Sequence, residues 1–381
     1  MSSWKRAPTM KVLFLSLLLS CLLHAQTKTP SPGDATALAQ QGKFAEAELA
    51  WHAILERNPN DAKAYASLGF VLSREQKYAD AAAAYRKAIA LAPKLPGVQL
   101  NLGLAEFKQG KFEAAIPPLH AALASDPQSL QATTLLGLSY YGGKHYEQAV
   151  KYLQLAIVSD QSNKELLQAL AQSCLSAKNY SCALEEFGKL VQMDPNSSAV
   201  HLFTAEALDG EGKTEEAIKE AQTSLRLSPQ EPDLNFVVGH LYWEEEKYDE
   251  AVAAFEAELR IDPENAKAIA YLGDIAMKRG DNEKALKLLR KAAQLQENVR
   301  LAYMDIAGIL VDQKQYAEAL SALRRAVKLD PTQSDAHFRL GHVYKLMGDN
   351  AAAEKEFAKV RELKEKKDHD ISRKLGTNPT N

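Results

Sequence analysis

The sequence predicts an all-α fold, a solenoid of antiparallel helix pairs, and three observations predict it. Residues 62–93, AKAYASLGFVLSREQKYADAAAAYRKAIALAP, recur downstream at a 34-residue step almost to the C-terminus. Inside that stretch apolar residues return every three or four positions, which is the spacing of one helix face. No run of strictly alternating apolar and polar residues marks a strand.

Each half of the stretch has its own pattern. Tyr65, Leu68, Gly69 and Leu72 lie on one face of a first helix, and Glu75–Lys77 is a polar break. Tyr78, Ala81, Tyr85, Ala88 and Ile89 define a second helix, which Pro93 cannot continue. The connection is short, so the two helices must run antiparallel. Gly69 and Ala81 lie about equally far from the turn and are expected to face each other, their small side chains letting the axes approach. One such hairpin cannot bury its apolar stripes; stacked copies can.

The period holds at several registers. Steps of 34 from Ala47 land on Ala81, Ala115, Ala149, Ala183, Ala217, Ala251, Ala285, Ala319 and Ala353. The Gly69 register holds only glycine or alanine, from Ala35 to Gly341. The Pro59 register reads Pro93, Pro127, Pro195, Pro229, Pro263 and Pro331, with Gln161 and Glu297 as exceptions. No insertion interrupts the array.

Tyr65, Leu68-Gly69, Tyr78, Ala81, Tyr85, Ala88 and Pro93 together fill a known motif, and the chain resembles the tetratricopeptide repeat family over about residues 28–363, in ten repeats. The resemblance implies a right-handed superhelical solenoid whose first helices line a concave face. It also implies a scaffold that binds other proteins. It names no partner, because one fold of this kind serves many unrelated assemblies.

Residues 1–25 differ from everything downstream. Lys5, Arg6 and Lys11 precede the leucine-rich run Val12–Leu23, and Ala25 ends it, the order of a secretory signal. Met10 can serve as an alternative start. The run is too short for a stable transmembrane anchor. Leu18-Leu19-Ser20-Cys21 also resembles a lipoprotein processing site, so tethering through Cys21 is a second reading. An exported protein, periplasmic or extracellular, is expected. Residues 26–33 (QTKTPSPG) read as a flexible linker, residues 34–363 as the array, and residues 364–381 as a charged tail, disordered from Gly376. The array opens with a short helix, Asp34–Gln41, for which Asp34 is the candidate N-cap.

Four departures stand out within the array. Pro117-Pro118 falls inside a second helix, which should kink or start near Ile116. Gly142-Gly143 should loosen the turn of the fourth repeat. Gln161 and Glu297 leave two junctions without proline. Thr214, Asn282 and Asn350 replace the aromatic of the Tyr78 register.

The net charge of −3 is lowered further when Lys5, Arg6 and Lys11 leave with the signal. An acidic chain without a basic stripe argues against nucleic acid. No phosphate-binding loop, zinc motif or nucleophile elbow occurs, so neither an enzyme nor a cofactor is indicated. His337, His342 and His369 read as exposed helix residues rather than metal ligands. Asn196-Ser197-Ser198 is a glycosylation sequon only in a host that glycosylates. Cys174 and Cys182 flank one turn and can bridge the hairpin as a disulfide; their registers, one inward and one commonly exposed, favour two separate small residues.

Candidate binding residues follow from the first-helix stripe at the Lys63, Ala66, Ser67, Phe70 and Ser73 registers. The Ser73 register varies most: Phe107, Tyr141, Leu175, Asp209, Trp243, Met277 and Val311. Two aromatic patches result. Leu104, Phe107, Leu138 and Tyr141 form one; Phe203, Phe236, Val237, His240 and Trp243 form the other. Apolar patches facing water mark binding surfaces, here for an extended peptide or a partner helix. The same residues would instead pack between repeats if the register were shifted by one. Lys63 and Asn101 supply only isolated parts of the carboxylate-binding and asparagine-ladder modes known in the family.

Overall fold

The computed structural model describes residues 29–374, and over them the chain is twenty helices and no strand. First helices are α1 (Pro32–Gln40), α3 (Ala62–Arg74), α5 (Val98–Lys108), α7 (Leu130–Gly142), α9 (Lys164–Ser176), α11 (Ser198–Gly210), α13 (Leu234–Glu244), α15 (Ala266–Lys278), α17 (Arg300–Asp312) and α19 (Ser334–Leu346). Second helices are α2 (Phe44–Arg57), α4 (Tyr78–Leu91), α6 (Phe112–Ser125), α8 (Tyr146–Ile157), α10 (Tyr180–Met193), α12 (Thr214–Leu227), α14 (Tyr248–Ile261), α16 (Asn282–Leu295), α18 (Tyr316–Leu329) and α20 (Asn350–Lys374). The chain divides into two compact units, Met1–Ser173 and Cys174–Asn381, the division falling within α9. The secretory and lipoprotein readings, with Met10, Cys21 and Ala25, lie outside the described residues, as does the tail from Gly376.

The turn inside each pair has one recurring device. Gly42, Gln76, Gly110, Lys144, Lys178, Gly212, Glu246, Gly280, Lys314 and Gly348 all have φ between 55° and 82°. They are spaced 34 residues apart, so every hairpin passes through one left-handed residue. Five are glycine, which adopts that conformation without strain; the other five carry a side chain there at a cost.

The close approach of paired helices differs from the expectation for Gly69 and Ala81. A Cβ on Gly69 would fall 2.6 Å from the Tyr85 ring, so the glycine makes room for a bulky residue and not for an alanine. Gly239 does the same for Phe255, at 2.7 Å. The alanine register is buried separately: Ala47 through Ala319 are 0% exposed and Ala353 is 3%. In unit one a core runs from Ala35 to Ala105 through Trp51, Leu72 and Tyr85. In unit two the largest core runs from Ala266 to Val343 through Leu289 and Leu323.

Several local expectations are corrected. α6 runs from Phe112 with Pro117 and Pro118 inside it, so the late start near Ile116 does not occur. Gly142 is the last residue of α7, and a Cβ on it would meet the Phe112 ring at 2.6 Å. Gly210 stands in the same relation to Tyr180, at 2.2 Å. These glycines seat the aromatic that opens the second helix of the preceding pair; Lys144 makes the turn. α1 begins within the expected linker, capped by Ser31. The Ser31 hydroxyl accepts from Asp34 N while the Asp34 carboxylate accepts from Ser31 N, which makes Asp34 the third helical residue and not the cap. α20 continues past the last repeat to Lys374. Of the two junctions without proline, the one at Glu297 keeps the common turn, with Val299 N donating to Gln296 O at 3.3 Å. The one at Gln161 follows an α8 of 12 residues rather than the usual 14.

α5 and α13 start late, and for the same reason. Pro96 and Pro232 precede left-handed N-caps, Gly97 (φ 75°) and Asp233 (φ 68°). At Asp233 the strain is offset by Glu258, which is 0% exposed and accepts from Asp233 N at 2.9 Å and Phe236 N at 3.3 Å. That carboxylate fixes the first turn of α13, the helix that carries most of the second patch.

Candidate functional site

In unit one, the first patch is spent on packing. Leu104 and Phe107 lie half-buried against Ala115, Leu119, Leu135 and Leu136. Phe107 meets Phe112 edge-on at 5.6 Å. Leu138 is half-buried, and the Tyr141 hydroxyl donates to Gln172 Oε1. The open concavity of this unit is elsewhere, a cavity of about 700 Å³ bordered by Lys63, Ser67, Phe70, Arg74 and Asn101. Phe70 is 47% exposed there.

In unit two, the second patch is part of a larger aromatic group. Phe236, Val237, His240 and Trp243 project from α13 and are half-buried. Tyr271 of α15 lies among them, 5.7 Å from Phe236, 5.2 Å from His240 and 5.1 Å from Trp243 between ring centres. Phe203 stacks instead on Phe187 at 5.7 Å. A cavity of about 450 Å³ opens beside the group, bordered by Asp209, Phe236, His240, Lys267, Tyr271 and Arg300. Tyr271 was missed in the sequence although it occupies the Ser67 register, one of the five that define the stripe.

Carboxylates surround the rings. Trp243 Nε1 donates to Asp274 Oδ2 at 2.5 Å, and Lys278 Nζ stands 3.6 Å from the same oxygen. Lys278 also lies 4.7 Å over the Trp243 ring. Burial and the neighbouring Asp209 carboxylate push Glu244 up to about 7. Burial, then Asp274, pushes Asp305 up to about 7, against the pull of Arg339 and Lys278. Burial, Glu244, Asp274 and Asp305 raise Tyr271 to about 12. Burial lowers His240, with Asp209 opposing, so its imidazole stays neutral more readily. The site is therefore aromatic and partly desolvated, with carboxylates and the cations Lys267, Lys278 and Arg300 both around it.

Two further expectations change. Cys174 and Cys182 are joined through their sulfurs, with Cα atoms 5.7 Å apart, and are not separate residues. Equal distance from the Lys178 turn brings the two backbones within bonding reach, which outweighs the difference in register. His337 is buried and not exposed; its Nδ1 pairs with Glu356 Oε2 at 2.6 Å, as His201 pairs with Glu220 at 2.6 Å. Among the described residues no group of three or more His, Cys, Asp or Glu is placed to hold a metal ion.

A stack of helix pairs with a variable first-helix face defines a helical-repeat scaffold of the kind that binds other proteins. The chain belongs to the tetratricopeptide repeat family: that family's model matches residues 34–96, 100–164, 169–232 and 239–299. Further tetratricopeptide models match residues 308–348 and 334–367. No curated protein matches the chain. Among solved structures, the anaphase-promoting complex hetero-tetramer Cut9-Hcn1 is similar, with TM-score 0.52 and 14% identity, covering 87% of this chain and 86% of that one. Yeast Tom70 has TM-score 0.46 and 16% identity, covering 87% and 91%. The C-terminal part of a repeat protein from Cytophaga hutchinsonii has TM-score 0.47 and 21% identity, covering 62% and 96%. Among the described residues no helix is long and apolar enough to cross a membrane.

Proposed function

We propose that this protein is an exported, non-catalytic scaffold that captures a segment of another protein along the first helices of its second unit. The observation that carries the reading is the open cavity walled by Phe236, His240 and Tyr271. Aromatic rings with a polar rim are the composition of binding hot spots. In unit one the Trp243 register fills with packing residues at Phe107 and Tyr141, whereas the registers of Phe236, His240 and Tyr271 border that unit's own cavity at Ala66, Phe70 and Asn101, with fewer aromatic rings. The secretory pattern of residues 1–25 supports a place in a bacterial cell envelope.

Crosslinking mass spectrometry of the exported protein in its native cell tests this. Crosslinks from Lys267 and Lys278 to one partner, lost in Tyr271→Ala and Trp243→Ala, are expected. A partner crosslinked only to second helices, or unaffected by both substitutions, sinks the assignment. The Leu-Ser-Cys21 pattern favours a second reading, a lipid-tethered form. Mass spectrometry of the mature N-terminus separates the two, since an acylated Cys21 and a free Gln26 differ.

A further inference from the structure

Two acceptors hold one buried imidazole in unit two. His201 lies in the first turn of α11 and is 7% exposed. Its Nδ1 stands 2.6 Å from Glu220 Oε2 on α12, and its Nε2 stands 3.0 Å from the Pro195 carbonyl oxygen in the junction between α10 and α11. A carbonyl oxygen only accepts, and so does an ionised carboxylate. Two hydrogen bonds therefore need two protons, and a neutral imidazole brings one. Glu220 is partly exposed, so water can stabilise its carboxylate charge, and the second proton belongs on the ring.

Four repeats downstream the same registers hold His337 and Glu356, with a different outcome. His337 Nδ1 meets Glu356 Oε2 at 2.6 Å, but its Nε2 is buried without a hydrogen-bond partner. One proton satisfies that pair. The extra proton at His201 thus follows from the Pro195 contact and not from the register.

Other charged groups on the neighbouring elements have partners of their own. On α10, Lys189 pairs with Glu186 at 2.9 Å. In the junction, Asp194 accepts from Asn196 N at 3.4 Å, and at the head of α13 Asp233 accepts from Asn265 Nδ2 at 3.2 Å. Burial opposes the charged ring, Glu220 and then the Pro195 carbonyl outweigh it, and Arg226 of α12 acts against them, so the imidazole is held above its ordinary range.

The Pro195 contact stands where other junctions have a cap. α3, α7 and α15 begin with Asp61, Ser129 and Asn265, whose side chains accept from an N–H of the first turn. Ser197 precedes α11 without such a bond. His201 instead ties the first turn back to the junction. When the ring holds one proton, that proton stays with Glu220, because the bond to a carboxylate is the stronger. A bare Nε2 then faces the Pro195 oxygen, and that bond is lost.

We infer that His201 is a proton-dependent clip: its imidazolium ties the α10–α11 junction to α11 and α12, and loss of the ring proton releases the junction at Pro195. The clip is closed below the ordinary value of 6.5 that the unfolded chain has, and it opens as pH rises through the higher folded value. α11 carries Glu206 and Asp209 to the border of the cavity walled by Tyr271, so release frees the head of the helix that forms one wall.

The test uses the full chain, isotope-labelled at histidine Cε1, with NMR titration from about pH 5 to about pH 9 and amide hydrogen exchange expressed as protection over the unfolded rate at each pH. The resonance lost in His201→Gln, or displaced in Glu220→Gln, identifies the ring. It is expected to titrate above 6.5, and protection of the amides from Asn196 to His201 is expected to fall about tenfold through that midpoint. His201→Gln should make this protection independent of pH. Glu220→Gln should lower the midpoint and open the junction at lower pH, which keeps the test decisive if His201→Gln folds poorly. His337→Gln should leave the junction profile as in wild type. A His201 midpoint at or below 6.5, protection that stays flat across the titration, or a pH slope that survives His201→Gln overturns the inference.

Discussion

Trp243 Nε1 donates to Asp274 Oδ2 at 2.5 Å, tying the end of α13 to the middle of α15 across successive repeats. Asp274 is 3% exposed, so the indole satisfies an acceptor that water does not reach. Trp243→Phe keeps the ring and removes the donor. The expected loss is about 1–3 kcal/mol, the range for deserting a buried charged partner. Urea denaturation of the full chain measures it. Trp243→Phe that matches wild type would mean Lys278 alone satisfies Asp274.

Asp305 makes stability fall as pH rises. Its folded pKa is about 7 against an ordinary 3.8, so the native state holds a proton that the unfolded chain has released. Its contribution is therefore most favourable below about pH 4, declines between about 4 and 7, and levels off above. Asp305→Asn is expected to raise the unfolding free energy at about pH 8 by on the order of a few kcal/mol, seen as a higher melting temperature, and to change little at about pH 3. A variant with the same pH slope as wild type would show that another group carries it.

Gly280 has φ 82° and no atom within 4 Å of an added Cβ. Gly280→Ala should still cost about 1 kcal/mol, all of it from the left-handed backbone. Glu246, with φ 55° at the same register, predicts the converse: Glu246→Gly should stabilise by up to about 1 kcal/mol. A shift in urea midpoint with unchanged slope is the expected signature for both.

Gly69→Ala tests packing at a different position. The new methyl would sit 2.6 Å from the Tyr85 ring, and Tyr85 is 1% exposed with its hydroxyl 3.4 Å from Ser73 Oγ. The ring has nowhere to turn. A loss of about 1–3 kcal/mol is expected, typical of overpacking. Pairing it with Tyr85→Leu should recover part of the loss; no recovery would place the clash elsewhere.

Cys174 and Cys182 close a short loop, eight residues apart in sequence. Chain entropy assigns such a crosslink about 2 kcal/mol. Cys182→Ala should lower stability by roughly that amount, with the effect vanishing under reductant. Thiol titration of the unfolded chain should find both cysteines blocked until reductant is added.

The repeat was legible because its constraints are local and strict. The Ala47 register tolerates one side chain, and alanine at every step announces it. The left-handed turn was half-visible: glycine appears at Gly42, Gly110, Gly212, Gly280 and Gly348, while Gln76, Lys144, Lys178, Glu246 and Lys314 hide the same backbone behind ordinary side chains. Gly142 reads as turn chemistry because a sequence shows adjacency, whereas the position is set by contact with Phe112, about thirty residues earlier. The groove was harder. Phe107 and Trp243 share a register, yet Phe107 turns into contact with Phe112 and Trp243 joins Tyr271. Register sets which side of a helix a residue leaves from; the neighbouring repeat decides what it meets. Tyr271 and Asp305 escaped notice because a tyrosine and an aspartate on a helix look ordinary until their surroundings are known.

The absence of insertions from Ala47 to Ala353 has a consequence for how this molecule can change length. Left-handed turn, alanine contact and glycine clearance all return in phase. Deleting one whole helix pair within a unit would bring identical registers together, and the cut ends would meet as neighbours already do. Deleting one residue fewer would rotate the following helix by about 100°, turning its buried stripe toward water. The molecule is thus quantised: it can grow or shrink by complete pairs, while between those steps its length is locked and only the residues of each rung are free to diverge.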